Sequence, residues 1–197
     1  LVAPFPHTVP VGRFGHACEV WDASSGVVLQ TLVTLPPGEE IPINGVATGP
    51  RSMQWLPLAS STLFWAEALD GGDPLATAAF RDRLFTLPAP FTATPAIVTD
   101  LPQRFEHAVW LATPGTALIT DYDEEREWLT TRLIDTLRPC PASASPLFFS
   151  RSASDEYNDP GSPMMVHLPD GQVIARMEGS TVWMSGEGAT PEAPFPF

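Results

Sequence analysis

The chain has 197 residues, of which 44% are hydrophobic and 17% charged, a balance that is typical of a folded globular protein and excludes a disordered one. Its formal net charge is −13, with ten arginines and no lysine, so its surface repels nucleic acid and excludes that class of partner. No apolar run approaches the ~20 residues of a membrane-spanning helix, and the 23 prolines and 14 glycines favour short strands over long helices.

Residues 1–50 are predicted to form the end of one sheet and a loop. His16–Asp22 and Val27–Thr34 are expected to be two strands joined by a turn at Ala23–Gly26. The proline-rich residues Pro36–Pro50 then form a long loop.

Residues 51–99 are predicted to form a four-stranded sheet. Its strands are Arg51–Leu56, Thr62–Ala68, Arg83–Leu87 and Thr94–Thr99. In Thr62–Ala68 both alternating sets of side chains are mostly apolar, with Leu63 and Trp65 on one side and Phe64 on the other. A strand in a sheet with one wet face should alternate apolar and polar residues. This strand is therefore expected to be buried on both faces, as in the stacked blades of a β-propeller.

The pattern recurs about 55 residues later, a spacing found in the larger propeller repeats. Residues 104–150 are predicted to form a second blade, and residues 160–197 the start of a third. The expected strands are Phe105–Leu111, Thr116–Tyr122, Glu127–Asp135, Pro146–Ser150, Pro163–Leu168, Gln172–Glu178 and Thr181–Met184. A helix over Asp123–Leu137 is the main alternative, but Trp, Thr and Ile favour a strand there. The sequence thus predicts an all-β fold, a partial β-propeller of four-stranded antiparallel blades.

Several stretches carry a family resemblance. They are RSMQWLP, STLFWAEALDGGDP, RDRLF, LFFSRSASDEYNDPGSPMM, GEGATPE and the opening PFPHTVPVGRF. In combination they resemble the propeller portion of the glutamyl endopeptidases, within the prolyl-oligopeptidase type of serine peptidases. The resemblance implies a propeller that restricts access to short or unfolded peptides. It also implies a C-terminal α/β-hydrolase domain, outside these residues, that bears a Ser-Asp-His triad and cleaves after acidic residues.

No catalytic residue is predicted within the chain. The nucleophile elbow Gly-x-Ser-x-Gly is missing, because Ser162 lies in a DPGSP turn and Ser185 lacks a flanking glycine. No cofactor is predicted, and no metal site either, since the four histidines are not paired at ligand spacing. These histidines are His7, His16, His107 and His167.

Each of two acidic stretches could be a ligand-binding site or an ordinary loop or turn. The acids at positions 121–125 could suggest calcium, but they lack the EF-hand glycine and distal Glu, so a solvated acidic loop is favoured. Asp70–Asp73 could suggest an anion or metal loop, but a turn with glycines at positive φ is favoured.

Five tryptophans are expected to pack between blades rather than to line a ligand box. They are Trp55, Trp65, Trp110, Trp128 and Trp183. Cys18 and Cys140 could form a disulfide, but two free thiols are favoured.

In a four-stranded antiparallel blade, the second-to-third loop and the loop into the next blade emerge on the same face, and in this sequence those loops are long. The charged residues there are Glu39, Glu40, Asp70, Asp73, Arg81, Asp82, Arg104, Asp121, Asp123, Glu124, Glu125, Arg126, Arg151, Asp155, Glu156 and Asp159. Binding usually resides on such loops. We expect this face to meet the hydrolase domain and to line the substrate chamber, with Arg81, Arg104 and Arg151 as candidate contacts to peptide substrates. Purely solvated loops are the alternative.

The predicted function is a non-catalytic propeller segment of a serine endopeptidase that cleaves after Glu or Asp. The alternatives are a stand-alone propeller that binds proteins and an inactive peptidase homologue. Resemblance to plant relatives implies the chloroplast stroma, while bacterial relatives leave the periplasm or cytoplasm open.

Overall fold

The computed structural model describes residues 10–186 and residue 188. Within them the chain is all-β, as predicted: sixteen strands, all paired antiparallel, and two single-turn 3₁₀ helices at Val11–Arg13 and Ala142–Ala144. None of the helices in this part of the chain is long and apolar enough to cross a membrane.

The first sheet, sheet I, is a hairpin of β1 (His16–Trp21) and β2 (Val28–Leu35). Both strands were predicted, and two irregularities interrupt their register. Asp22 closes the turn between them. Its Oδ1 accepts hydrogen bonds from the amides and hydroxyls of Ser24 and Ser25, and these bonds, led by the Ser24 hydroxyl, lower the pKa of Asp22 to about 2.

Two four-stranded sheets follow, each in simple meander order. Sheet II contains β3 (Arg51–Trp55), β4 (Thr62–Ala68), β5 (Asp82–Pro88) and β6 (Ala96–Leu101). Sheet III contains β7 (Arg104–Trp110), β8 (Thr116–Asp123), β9 (Trp128–Asp135) and β10 (Leu147–Ser152). All eight predicted strands are present, and no end differs from the prediction by more than two residues. Strand β9 occupies the stretch for which a helix was the alternative.

Residues 162–185 form three small two-stranded sheets instead of the longer strands predicted there. The pairs are β11 (Ser162–Pro163) with β16 (Met184–Ser185), β12 (Met165–His167) with β13 (Val173–Ala175), and β14 (Met177–Glu178) with β15 (Thr181–Val182). Pro163, the last residue of β11, has no N–H to donate to a ladder. Residue 187 and residues 189–197, part of the predicted third blade, lie outside the described residues, as do residues 1–9.

The middle strand β4 is buried on both faces, as predicted. Phe64 is 0% exposed and packs edge-on against Phe105 and Trp110 of sheet III, with ring centroids 5.7 and 5.2 Å apart. Trp65 is 3% exposed, belongs to a second core that includes Val20 of sheet I, and stacks on Phe85. Sheet II is therefore covered by sheet III on one side and by sheet I on the other.

A third core covers the far side of sheet III. Leu111 and Leu118 are buried there with Ala175 of β13, and Met177 and Val182 pack against them. The sheets thus pack in chain order, and the core between sheets II and III also includes Ile174 of β13.

Of the five tryptophans expected to pack between blades, Trp128 is partly buried, and its indole N–H donates to Ser150 Oγ at 2.7 Å. Trp65 and Trp110 are buried between sheets, as expected, and the indole N–H of Trp110 donates to Gln54 Oε1 at 2.7 Å. Trp55 and Trp183 are 49% and 44% exposed, so inter-sheet packing was the wrong prediction for them. Trp55 lies at the end of β3, where its ring packs edge-on against Phe91 instead.

Candidate functional site

The loops that were predicted to carry charge emerge at one end of the stacked sheets. This end, called the loop end here, is where β4, β6 and β8 finish and where β5, β7 and β9 begin. It carries the long connections 36–50 and 69–81 and the shorter turn 124–127. Charged residues of sheets II and III and of the 69–81 loop converge here.

Asp70 is the first centre of this convergence. Its side chain is completely buried, and Arg104 Nη2 donates to both of its oxygens at 2.7 and 2.6 Å. Arg81 Nη1 donates to Asp70 Oδ2 at 2.8 Å. Burial acts to raise the pKa of Asp70, but the hydrogen bonds from the two guanidinium groups outweigh it, so the pKa is lowered and the carboxylate stays ionised.

Asp82 is the second centre and is also fully buried. It accepts hydrogen bonds from Arg51 and from Arg104 Nη1, the latter at 2.9 Å. Its third donor is the backbone amide of Phe105, at 2.6 Å. Because Arg104 and Phe105 belong to β7, this carboxylate ties sheet III to sheet II.

We call these five residues the Asp–Arg network: Arg51, Asp70, Arg81, Asp82 and Arg104. Three guanidinium groups face two carboxylates, which leaves one formal positive charge. Burial lowers the pKa of Arg51 against the attraction of Asp82. Arg51 Nη1 and Arg104 Nε are buried without a hydrogen-bond partner among the described residues. The network is a buried structural element at the loop end, rather than a solvated charged surface.

Arg81 also holds the 69–81 loop together. The same Nη1 lies 3.5 Å from the carbonyl oxygen of Asp73 and 3.3 Å from that of Ala76. Gly71 and Gly72 both have positive φ, which supports the turn interpretation of Asp70–Asp73. Gly72 is also required for space, since a Cβ there would overlap the carbonyl oxygen of Val46.

The three candidate substrate contacts are placed differently. Arg81 and Arg104 meet on Asp70. Arg151 lies on β10, away from them, where Nη2 donates to Asp159 at 2.7 Å and Nη1 to the carbonyl oxygen of Ser152 at 2.8 Å. All three guanidinium groups are therefore engaged in ion pairs within the chain.

The interpretation of residues 121–125 as a solvated acidic loop is wrong for Asp121. It lies in β8, is buried, and pairs with Arg132 of β9 at 3.1 Å. Burial raises the pKa of Asp121, although Arg132 and the amide of Gln103 act against it. Glu124 and Glu125 are exposed as expected.

A cavity of about 650 Å³ lies beside sheet III, opposite the face that packs on sheet II. Its floor includes Leu118 and Phe149, and its polar lining includes Arg151. The hydroxyls of Thr120 and Thr131 are 2.7 Å apart, and His107 Nε2 is 3.3 Å from the Thr120 hydroxyl. Burial lowers the pKa of His107, which favours the neutral ring.

Two curated plant proteins match the whole chain. Both carry the name "Probable glutamyl endopeptidase, chloroplastic". The protein of Oryza sativa subsp. japonica is 34% identical over 206 residues, which is 98% of this chain and 21% of the relative. The protein of Arabidopsis thaliana is 36% identical over 210 residues, 100% of this chain and 21% of the relative. The chain is identified as a segment of the glutamyl endopeptidase family.

The chain spans about a fifth of the length of these glutamyl endopeptidase relatives. No family model matches it, and no solved structure matches it. Membership in the family therefore rests on the two curated relatives and on the motifs quoted above.

The side chains that commonly bind metals are not grouped in the described part of the chain. No group of three His, Cys, Asp or Glu side chains that could hold a metal ion occurs in residues 10–186. Cys18 and Cys140 are free thiols, as favoured by the sequence. Cys140 Sγ lies 3.3 Å from the Ser145 hydroxyl.

Proposed function

We propose that this chain is a non-catalytic segment of the β-propeller of a glutamyl endopeptidase. In this proposal sheets II and III are consecutive four-stranded blades, sheet I is the end of the preceding blade, and residues 160–197 begin the next one. The burial of β4 between two neighbouring sheets is the observation that carries the proposal, because radially stacked blades cover one another in this way.

The chemistry would come from an α/β-hydrolase domain in the C-terminal part of the protein, with a Ser-Asp-His triad. The propeller would restrict entry to short or unfolded peptides, and cleavage would follow Glu or Asp. The names of the two relatives and their fivefold greater length support this division of labour. Their names also support a chloroplast location, for which we propose the stroma.

At the loop end, the Asp–Arg network would form the rim of the substrate chamber. Arg81 is the best placed of the three candidate arginines to touch a peptide, since it is the most exposed member of the network. Arg104 and Arg151 are more deeply buried and would act by fixing the positions of Asp70 and of the loop after β10.

The test is made on the longer polypeptide that contains this chain. A fluorophosphonate probe should label one serine outside residues 1–197, and the protein should cleave a peptide after Glu but leave the matched Gln peptide intact. Absence of labelling, with the polypeptide otherwise folded, would instead favour an inactive homologue or a protein-binding scaffold.

A further inference from the structure

The end of the stacked sheets opposite the loop end exposes large apolar side chains on all three sheets. This end, called the turn end here, is where β5, β7 and β9 finish and where β4 and β8 begin. The exposed residues are Trp21, Val27, Trp55, Leu58 and Leu137, each 41–57% exposed. We call these five residues the apolar turn patch. Isolated exposed apolar residues are ordinary, but a group of them at one end of a molecule is typical of an interaction site.

The turn of sheet I lies at the same end as the turns of sheets II and III. Strand β2 runs from the 22–27 turn to the 36–50 loop of the loop end, which places this turn at the turn end. Val20 of β1 also shares a buried core with Phe91 of the 89–95 connection. The apolar turn patch therefore extends across three stacked sheets.

Leu58 has a backbone conformation that a leucine rarely adopts. Its φ is 61°, in the left-handed region where glycine is usual and a bulky residue is strained. Phe91 also has positive φ, but its ring is buried and packs against Trp55. Leu58 lies in a turn beyond the strand ends, where stacking of a further sheet would not cover it. Strained residues cluster at binding sites, so the exposed side chain of Leu58 indicates a contact outside this chain.

The turn end is nearly free of charge, although the formal net charge of the chain is −13. Its connections 56–61, 89–95 and 111–115 contain no charged residue, and its other two connections contain one acid, Asp22, and one base, Arg138. The three loop-end connections named above contain seven acidic residues and two arginines. Two copies of the chain would therefore repel each other through their loop ends but not through their turn ends.

The size of the apolar turn patch fits a stable contact between two copies. Since a large aromatic side chain alone can bury about 150–250 Å², five half-exposed apolar residues present on the order of 500 Å² of apolar surface. A standard interface buries about 800 Å² on each partner, and about 65% of a homodimer interface is apolar. The patch thus supplies the apolar part of such an interface.

We propose that the apolar turn patch is the contact surface between two copies of the polypeptide, related by a two-fold axis so that each copy presents the same surface. A strongly acidic or basic partner would gain no attraction from a neutral face, whereas a second copy matches it in apolar character and in charge. This inference rests on the proposed function in one respect, since a catalytic domain at the loop end leaves the turn end free.

Sedimentation velocity of the longer polypeptide that contains this chain tests the contact. The wild type should be a dimer, and Leu58→Glu with Leu137→Glu should raise its dissociation constant at least about a hundredfold, because like charges then face each other across the two-fold axis. The matched control, Ile97→Glu with Leu147→Glu, places the same charges at similarly exposed positions on the edge strands β6 and β10 and should leave the dissociation constant unchanged.

Leu58→Gly separates a contact role of this residue from a structural one. Glycine accepts the positive φ and keeps the backbone amide that donates to Gln172 Oε1 at 2.9 Å, so only the side chain is lost. The variant should keep the wild-type circular dichroism spectrum and raise the dissociation constant at least about tenfold. An unchanged dissociation constant would overturn the role of Leu58 in the contact.

A monomeric wild type, or a dimer that the double glutamate variant leaves intact, would overturn the inference. Binding of a monomeric wild type to neutral lipid vesicles, lost in the same variant, would assign the patch to a membrane and overturn it too. Fluorophosphonate labelling of the same samples separates this inference from the proposed function. A labelled monomer would overturn the dimer while the peptidase assignment stands, and an unlabelled dimer that the glutamates dissociate would keep the contact and overturn the proposed function.

Discussion

Substitution of Asp82 by asparagine tests the role of the Asp–Arg network. The change keeps the side-chain volume but leaves three guanidinium groups facing one carboxylate, so the buried charge rises from one to two. Asp82 is 0% exposed, and it accepts hydrogen bonds from Arg51, Arg104 and the amide of Phe105. Removing one partner of a buried ion pair costs about 3–5 kcal/mol. We expect a loss of this size in the free energy of unfolding.

The assay is urea unfolding followed by tryptophan fluorescence, with Asp100→Asn as the control. Asp100 lies on the same sheet and pairs with Arg83 through two bonds of 2.6 and 2.8 Å, but both side chains are about one third exposed. Exposed pairs contribute about 0–1 kcal/mol. Equal losses for the two variants would refute the claim that burial makes Asp82 important.

Three further predictions follow from packing, backbone geometry and ionisation. Trp65→Ala should lower the free energy of unfolding in urea by about 3–5 kcal/mol or make the chain insoluble, whereas Trp55→Ala, at a half-exposed position, should lower it far less. A soluble Trp65→Ala variant that melts cooperatively near the wild-type temperature would contradict the burial of β4. Gly72→Ala should lower the melting temperature more than Gly71→Ala, because both residues have positive φ but only Gly72 lacks space for a methyl group. Similar melting temperatures would count against a tight contact between the 36–50 and 69–81 loops. Because the pKa of Asp70 is lower in the folded state than in the unfolded state, the ionised Asp70 stabilises the fold above pH ~4, and this stabilisation is lost as the pH falls below that value. The urea midpoints of wild type and Asp70→Asn should therefore converge on acidification, and a constant difference between them would exclude this linkage.

Side-chain patterns in the sequence predicted the strands of sheets I to III, and the absence of apolar–polar alternation in β4 predicted its burial on both faces. Side-chain periodicity depends directly on which faces of a strand are covered, so Phe64 and Trp65 were informative. The turn at Gly71 and Gly72 was also predictable, because glycine at positive φ has a local cause.

The pairing of the charged residues was not predictable in the same way. A carboxylate in a buried ion pair and one in an exposed loop have the same local sequence, so Asp82 was placed on the charged loop face and Asp121 in a solvated acidic loop. Their partners, Arg51 and Arg132, lie 31 and 11 residues away along the chain. The exposure of Trp55 was also missed. This residue is the last of β3, and the end of a strand has fewer neighbouring side chains than its middle.

The experimental structure of the longest natural polypeptide that contains this chain is the most direct test of the proposed architecture. We expect sheets II and III to be consecutive blades of a closed ring around a central channel, with the catalytic domain seated on the loop end. A sandwich of these sheets without a ring, or a catalytic domain at the opposite end, would contradict it.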